Sequence, residues 1–337
     1  MVIVKTKRRN KSCAGAGISP AKKLVASLIC IFIGARLFSP NNYSPITHSA
    51  LRHETISIQE ELTNALNPER LKALAEQHRE AYKNAYPFPH AIMDNLFPKR
   101  VLRALMDEIP ESMLGSDGCY SKHKRCAKRQ GAEYQLMKSN IIDEMDMRPI
   151  TREVIWFLTS GTFINFLKEL SGITGLLPDP DHNGGGIHLT ARGGKLNIHA
   201  DFNAWPGACL DRRVNFFLFL NDDWEEEYGG HLELWNKDLD KCGARIKLDL
   251  GRVVVFSTTD FSYHGHPHPL TAPDGRARRS IALYYYTVGR PKEECIDETC
   301  PVYKCSSEMH VLHNHGTIWK TPLCDDCRDC LYHPNFQ

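Results

Sequence analysis

The first 53 residues contain no aspartate or glutamate, and the first acidic side chain is Glu54. Basic residues are frequent there, among them Lys5, Lys7, Arg8, Arg9, Lys11, Lys22, Lys23 and Arg36, so the formal net charge of +2 conceals a basic head on a slightly acidic body. A body of that sign lacks the cationic surface that neutralises phosphates, which excludes nucleic acid as its partner. The chain has neither an internal repeat nor a low-complexity segment, and with 42% hydrophobic residues over 337 positions it can bury a sizeable globular core. The apolar run of the head, Leu24 to Phe38, is only fifteen residues long and is broken by Ser27, Gly34 and Arg36. At ~1.5 Å per residue it covers ~22 Å of a ~30 Å bilayer core. That length suits the apolar part of a signal peptide, or a short signal-anchor at 24–38 whose Arg36 reaches the far interface. With the basic head 1–23 on the cytoplasmic side, the body is expected in the ER or Golgi lumen as a single-pass type II protein, or secreted; plastid import is the alternative.

Cysteine usage leans toward the same compartment. Outside Cys13 and Cys30, ten remain: Cys119, Cys126, Cys209, Cys242, Cys295, Cys300, Cys305, Cys324, Cys327 and Cys330. The even number and the crowding into a tail at 289–337 are expected of persistent disulfides. Zinc is the rival there, with His310, His313 and His315 nearby, but the spacing fits no standard arrangement of two Cys pairs. Asn42-Tyr43-Ser44 is a glycosylation triplet.

Between Ile56 and Tyr86 apolar residues recur at helical spacing, with Asn67-Pro68 as a break, which predicts a helical stem over 50–85. A short strand and turn over 88–98, an amphipathic helix from Lys99 to Ile109 and a further helix from Ile150 to Leu170 are expected next. Cys119 and Cys126 bracket a basic loop that reads as a disulfide-closed hairpin. From about Gly184 to 288 the apolar period becomes two: Ile187–Thr190, Lys195–His199, Val214–Leu220, His231–Trp235, Arg252–Ser257 and Arg279–Thr287 read as strands of an all-β barrel or sandwich.

Within that region His199 and Asp201 stand two apart, so on a strand they share one face and can grip one metal ion. Downstream, His264, His266 and His268 alternate, and Arg276, Arg278 and Arg279 open another strand. Two imidazoles and one carboxylate with open positions form the ligand set of a non-haem Fe(II) oxygenase. His264 follows Ser262-Tyr263 and precedes Gly265, whereas His266 and His268 each precede proline and read as loop, so His264 ranks first and His266 second. His188 and His231 read as packing or substrate contacts.

These residues resemble the Fe(II)- and 2-oxoglutarate-dependent dioxygenases, in particular the prolyl 4-hydroxylase-like branch, over about residues 86–288. The similarity includes Arg212-Arg213-Val214-Asn215 and on to Asn221, Gly229-Gly230-His231-Leu232-Glu233-Leu234, and Gly251 to Phe256. It implies a double-stranded β-helix of the jelly-roll or cupin type, mainly β with flanking helices, in which His199, Asp201 and His264 hold Fe(II). 2-Oxoglutarate is then the co-substrate, O₂ the oxidant and ascorbate an additional reductant. The co-substrate's far carboxylate needs a buried cation. Arg278 and Ser280 share a strand face and supply a fork and a hydroxyl; Arg279 points to the other face, and Arg276 lies in the preceding loop. Asn215 is read as facing the co-substrate pocket and Asn197 as sharing the inward face of His199, and both are read as groups that support the metal ligands. Where many prolyl hydroxylases carry a tyrosine that contacts 2-oxoglutarate, this chain has Phe219. The presence of Asp201 excludes a halogenase, which needs that position vacated for its halide.

The implied reaction is hydroxylation of a C–H bond in a prolyl or other side group of a protein, peptide or glycan, with release of succinate and CO₂. The alternatives are a membrane-tethered lumenal glycosyltransferase and a catalytically silent β-barrel used for binding.

Overall fold

The structure, a computed structural model, describes residues 48–109, 135–202, 204–205, 210–295 and 318–319. The described residues from His53 onward belong to one compact unit. Helix α1 (His48–Ala65) leads into α2 (Pro68–Lys83) through Asn67, whose side chain accepts the Arg70 amide at 2.9 Å while Pro68 starts the helix. This is the cap chemistry that the Asn-Pro break predicts. Leu62, Leu66, Leu71, Ala75 and Tyr82 are buried in the same cluster as Val214 and Phe216 of the sheet. The expected stem over 50–85 is therefore corrected from residue 58 onward: its apolar stripe is part of the domain's core.

Strand β1 (His90–Met93) and helix α3 (Lys99–Glu108) follow as expected. The single helix expected over Ile150–Leu170 is two, α4 (Pro149–Leu158) and α5 (Gly161–Ser171), because Ser160 leaves the helical conformation and caps α5 through the Phe163 amide. The remaining strands are β2 (Gln135–Ile141), β3 (Leu177–Pro178), β4 (Gly186–Ala200), β5 (Ala204–Trp205), β6 (Leu210–Phe219), β7 (Leu232–Trp235), β8 (Cys242–Ile246), β9 (Val253–Ser257), β10 (Tyr263–His266), β11 (Arg278–Thr287) and β12 (Ile318–Trp319). They form one sheet, in the order β1-β9-β6-β11-β4-β10-β7-β8 with β2, β3, β5 and β12 alongside, and every pairing is antiparallel. The sheet curls into a half-barrel with helices on its flank, the double-stranded β-helix core that the resemblance implies. Among the described residues no α-helix interrupts β4 to β11, so the alternation of a nucleotide-sugar fold is absent among them.

Alternation sorts the two faces. Phe216, Leu218, Val253, Val255, Ile281, Leu283 and Tyr285 pack toward the helices, while Phe217, Phe219, Val254, Phe256, Ala282, Tyr284 and Tyr286 fill the interior of the half-barrel. The two strands expected at Ile187–Thr190 and Lys195–His199 are one strand, β4. It bulges between them: β2 residues Leu136 and Lys138 face Lys195 and Thr190 of β4. Gly193 has φ +74°, which a side chain rarely adopts, and provides the bend.

Among the described residues no helix is long and apolar enough to cross a membrane. Leu24–Phe38, Asn42, Cys119, Cys126, Cys209 and the tail cysteines beyond Cys295 lie outside the described residues. Cys242 is buried, with Sγ donating to the Ala244 carbonyl oxygen at 3.4 Å.

Candidate active site

The end of β4 meets β10 with His199 and His264 as directly opposed residues, their ring centroids 4.5 Å apart. Asp201 follows two residues beyond His199, with Oδ1 3.4 Å from His199 Nε2 and Oδ2 3.5 Å from His264 Nε2. One donor atom from each of the three lies within 4.8 Å of the others, and all three residues are at most 9% exposed. His199 Nδ1 sits 2.8 Å from the Asn197 carbonyl oxygen and His264 Nδ1 2.9 Å from that of Ser262. A carbonyl can only accept, so each neutral ring carries its proton on Nδ1 and turns the Nε2 lone pair toward Asp201. Burial holds His264 down to about 4, keeping it neutral and able to coordinate. Two imidazoles and one carboxylate on one side of a cavity fit Fe(II) with open positions.

Asp201 is prepared by its neighbours. Arg212 Nη2 lies 2.9 Å from Oδ2, and Asn215 Nδ2 donates to the same oxygen at 2.7 Å while accepting from Arg212 Nε at 2.8 Å. Burial alone would raise this carboxyl, but Arg212, His264 and His199 pull it well below the ordinary value. The Arg212 guanidinium lies 3.2 Å from the centre of the Tyr284 ring. Strict alternation would send Arg212 to the helix side. Instead Tyr285 and Tyr286 of β11 pair with Val214 and Arg212 of β6, so a bulge at Arg213 returns Arg212 to the interior.

A cavity of about 150 Å³ opens beside the three ligands, and Lys138, His188, His266 and Arg278 contribute cations and imidazoles to its wall. Arg278 is 5% exposed; its Nε donates to the Gly230 carbonyl at 2.8 Å, and Phe219 lies under it at 5.1 Å. Burial pushes its guanidinium down to about 9. Ser280 shares this face, fully buried, with Oγ unpartnered. Arg279 points the other way and donates to Ile109 and Met106 carbonyls at the end of α3; Arg276 bonds the Asp222 and Asp223 carbonyls.

Asn215 does not reach the cavity wall as expected, because Asp201 and Arg212 engage it from both ends. Asn197 contributes its backbone carbonyl to His199. His266 belongs to β10, not to a loop, yet it stands outside the group of three; it is 3% exposed and neither ring nitrogen has a partner. His188 is turned to the Gly184 carbonyl at 2.8 Å, and His231 to Glu226 at 3.1 Å. Arg212 and Lys138 are site residues that the sequence reasoning missed. Arg212 had one signal, its position in the Arg-Arg-Val-Asn run; Lys138 had none, since β2 was not expected.

A sequence model described as the 2OG-Fe(II) oxygenase superfamily matches residues 185–286. Among curated proteins no sequence match is found. The chain is similar in fold to solved prolyl 4-hydroxylases. For one from Phytophthora capsici the identity is 17%, with 67% of this chain and 64% of that chain covered and a TM-score of 0.43. For the Trichoplax adhaerens prolyl hydroxylase in complex with a hypoxia inducible factor peptide the values are 15%, 65%, 91% and 0.43. For a Pseudomonas putida prolyl-4-hydroxylase they are 16%, 65%, 100% and 0.39. The matched stretch, residues 185–286, is similar to the 2OG-Fe(II) oxygenase superfamily and carries both imidazoles, the carboxylate between them and the buried Arg278.

Proposed function

We propose that this enzyme hydroxylates a C–H bond in a side chain of a protein or peptide, prolyl residues among them, while 2-oxoglutarate is converted to succinate and CO₂. The observation that carries the reading is the convergence of His199, Asp201 and His264 within 4.8 Å beside a cavity walled by Arg278. Fe(II), when bound, supplies the activation of O₂ that no protein side chain provides. The chain's own groups do the positioning. The Asn197 and Ser262 carbonyls fix the two imidazoles, Arg212 and Asn215 hold one oxygen of Asp201, and Arg278 offers a fork to a carboxylate. Phe202, Phe217 and Leu232 complete the wall with apolar surface.

The prolyl reading rests on the sequence similarity around Val214–Asn221 and Gly229–Leu232, and Phe219 is its departure from the pattern. Incubation of the full chain with Fe(II), 2-oxoglutarate and proline-containing peptides tests it. One oxygen atom gained on proline per succinate formed is the expected result. Steady succinate formation with oxygen gained only on other residues would replace proline as the target. The basic head and Leu24–Phe38 support a lumenal setting, which protease protection of the body in intact microsomes tests.

A further inference from the structure

We propose that Lys138 is a second cation for the co-substrate's far carboxylate, acting with Arg278 in place of the donor that Phe219 does not supply. This rests on the dioxygenase reading above. Three antiparallel strands align the groups: Lys138 of β2 stands opposite Thr190 of β4, which stands opposite Arg278 of β11. Directly opposed residues share a face, so Lys138 and Arg278 flank Thr190 on the interior side. One step along, the same face carries Asn140, His188 and Ser280, with Phe219 opposite Ser280 on β6.

The electrostatics of this row lack an anion. Among the described residues Lys138 has no hydrogen-bond or ion-pair partner, and Arg278 is engaged only through its Nε and the Phe219 ring. Burial, with Arg278 as the next cause, holds Lys138 down to about 8, and burial holds Arg278 down to about 9. Asp201, the carboxylate on the cavity wall, is already held by Arg212 and Asn215. Ser280 Oγ and both nitrogens of His266 are buried without partners. Cations gathered in a concave site with unsatisfied polar atoms are poised for a bound carboxylate, which would restore the charge balance and accept the free donors. Phe219 packs its ring against Arg278, so it shapes the cradle without donating a hydrogen bond.

The test is calorimetric binding to the Fe(II)-loaded full chain without oxygen, using 2-oxoglutarate and 2-oxopentanoate, which has the same carbon chain but no far carboxylate. Lys138→Met is expected to weaken 2-oxoglutarate about 10- to 100-fold, the range for a charge-assisted hydrogen bond. It should leave 2-oxopentanoate and Fe(II) binding unchanged, and Lys138→Arg should restore most of the loss. Equal weakening of both ligands, or no weakening of either, would overturn the assignment of Lys138 alone. A wild-type protein that binds Fe(II) but not 2-oxoglutarate would overturn the dioxygenase reading and this inference with it.

Discussion

Asn215 links Arg212 to the carboxylate that the metal requires, and replacing it isolates how much that preparation contributes. Asn215→Leu keeps the volume near the original while removing the 2.7 Å donor to Asp201 Oδ2 and the 2.8 Å acceptor for Arg212 Nε. A hydrogen bond to a charged group contributes about 1.5–3 kcal/mol, and each ~1.4 kcal/mol is tenfold in affinity. Arg212 Nη2 still lies 2.9 Å from Oδ2, so the carboxylate keeps one anchor and the lower half of that range applies. Fe(II) affinity should therefore fall about tenfold, in line with other partners of metal ligands. The assay is an anaerobic Fe(II) titration by calorimetry, with thermal unfolding of the apo-protein as the check on folding. A folded variant with Fe(II) affinity within about twofold of wild type would refute the reasoning.

Three further outcomes follow from the same structure. His231 is buried and held down to about 4, by burial first and then by Arg245, against an ordinary 6.5. The unfolded chain therefore takes up a proton below pH 6.5 that the native state refuses until about pH 4, and stability contributed by neutral His231 is full above that window and lost as pH falls through it. His231→Gln should flatten this acid limb by up to about 3 kcal/mol in denaturant titrations. Gly230→Ala should destabilise by about 1–3 kcal/mol, because Gly230 has φ +74° and an added Cβ would meet Leu270 and lie 3.2 Å from Arg278 Cδ; a denaturant midpoint measures it. Phe163→Ala removes a fully buried ring that lies 5.3 Å from both Phe166 and Phe216, and should cost about 3–5 kcal/mol with an unchanged denaturant slope.

What could be read in advance depended on strict alternation. Arg278 and Ser280 face inward and Arg279 faces α3 because β11 runs unbroken through them, so a period of two assigns each side chain correctly. Arg212 is misassigned by alternation for the opposite reason: the bulge at Arg213 reverses the period, and no residue type in that run announces the bulge. Asn215 lies on the face that the period of two assigns it, and its bond to Asp201 matches its reading as a support of the metal ligands; the register that aims it there comes from the fold. Lys138 reaches the site only through the pairing of β2 with β4, a contact between residues about fifty apart in sequence that local pattern does not encode. Pro267 after His266 suggests a loop, yet a strand can end on the residue before a proline, as β10 does. The apolar stripe over 58–82 was seen correctly, but periodicity says only that a face is buried, not against what.

The central claim is that His199, Asp201 and His264 form the centre at which 2-oxoglutarate is consumed. Its most direct test is the release of succinate and CO₂ from 2-oxoglutarate by the full chain with Fe(II) and O₂, beside folded His199→Ala. The account predicts equimolar succinate and CO₂ from the wild type and background from His199→Ala. Turnover by His199→Ala at the wild-type rate would contradict it.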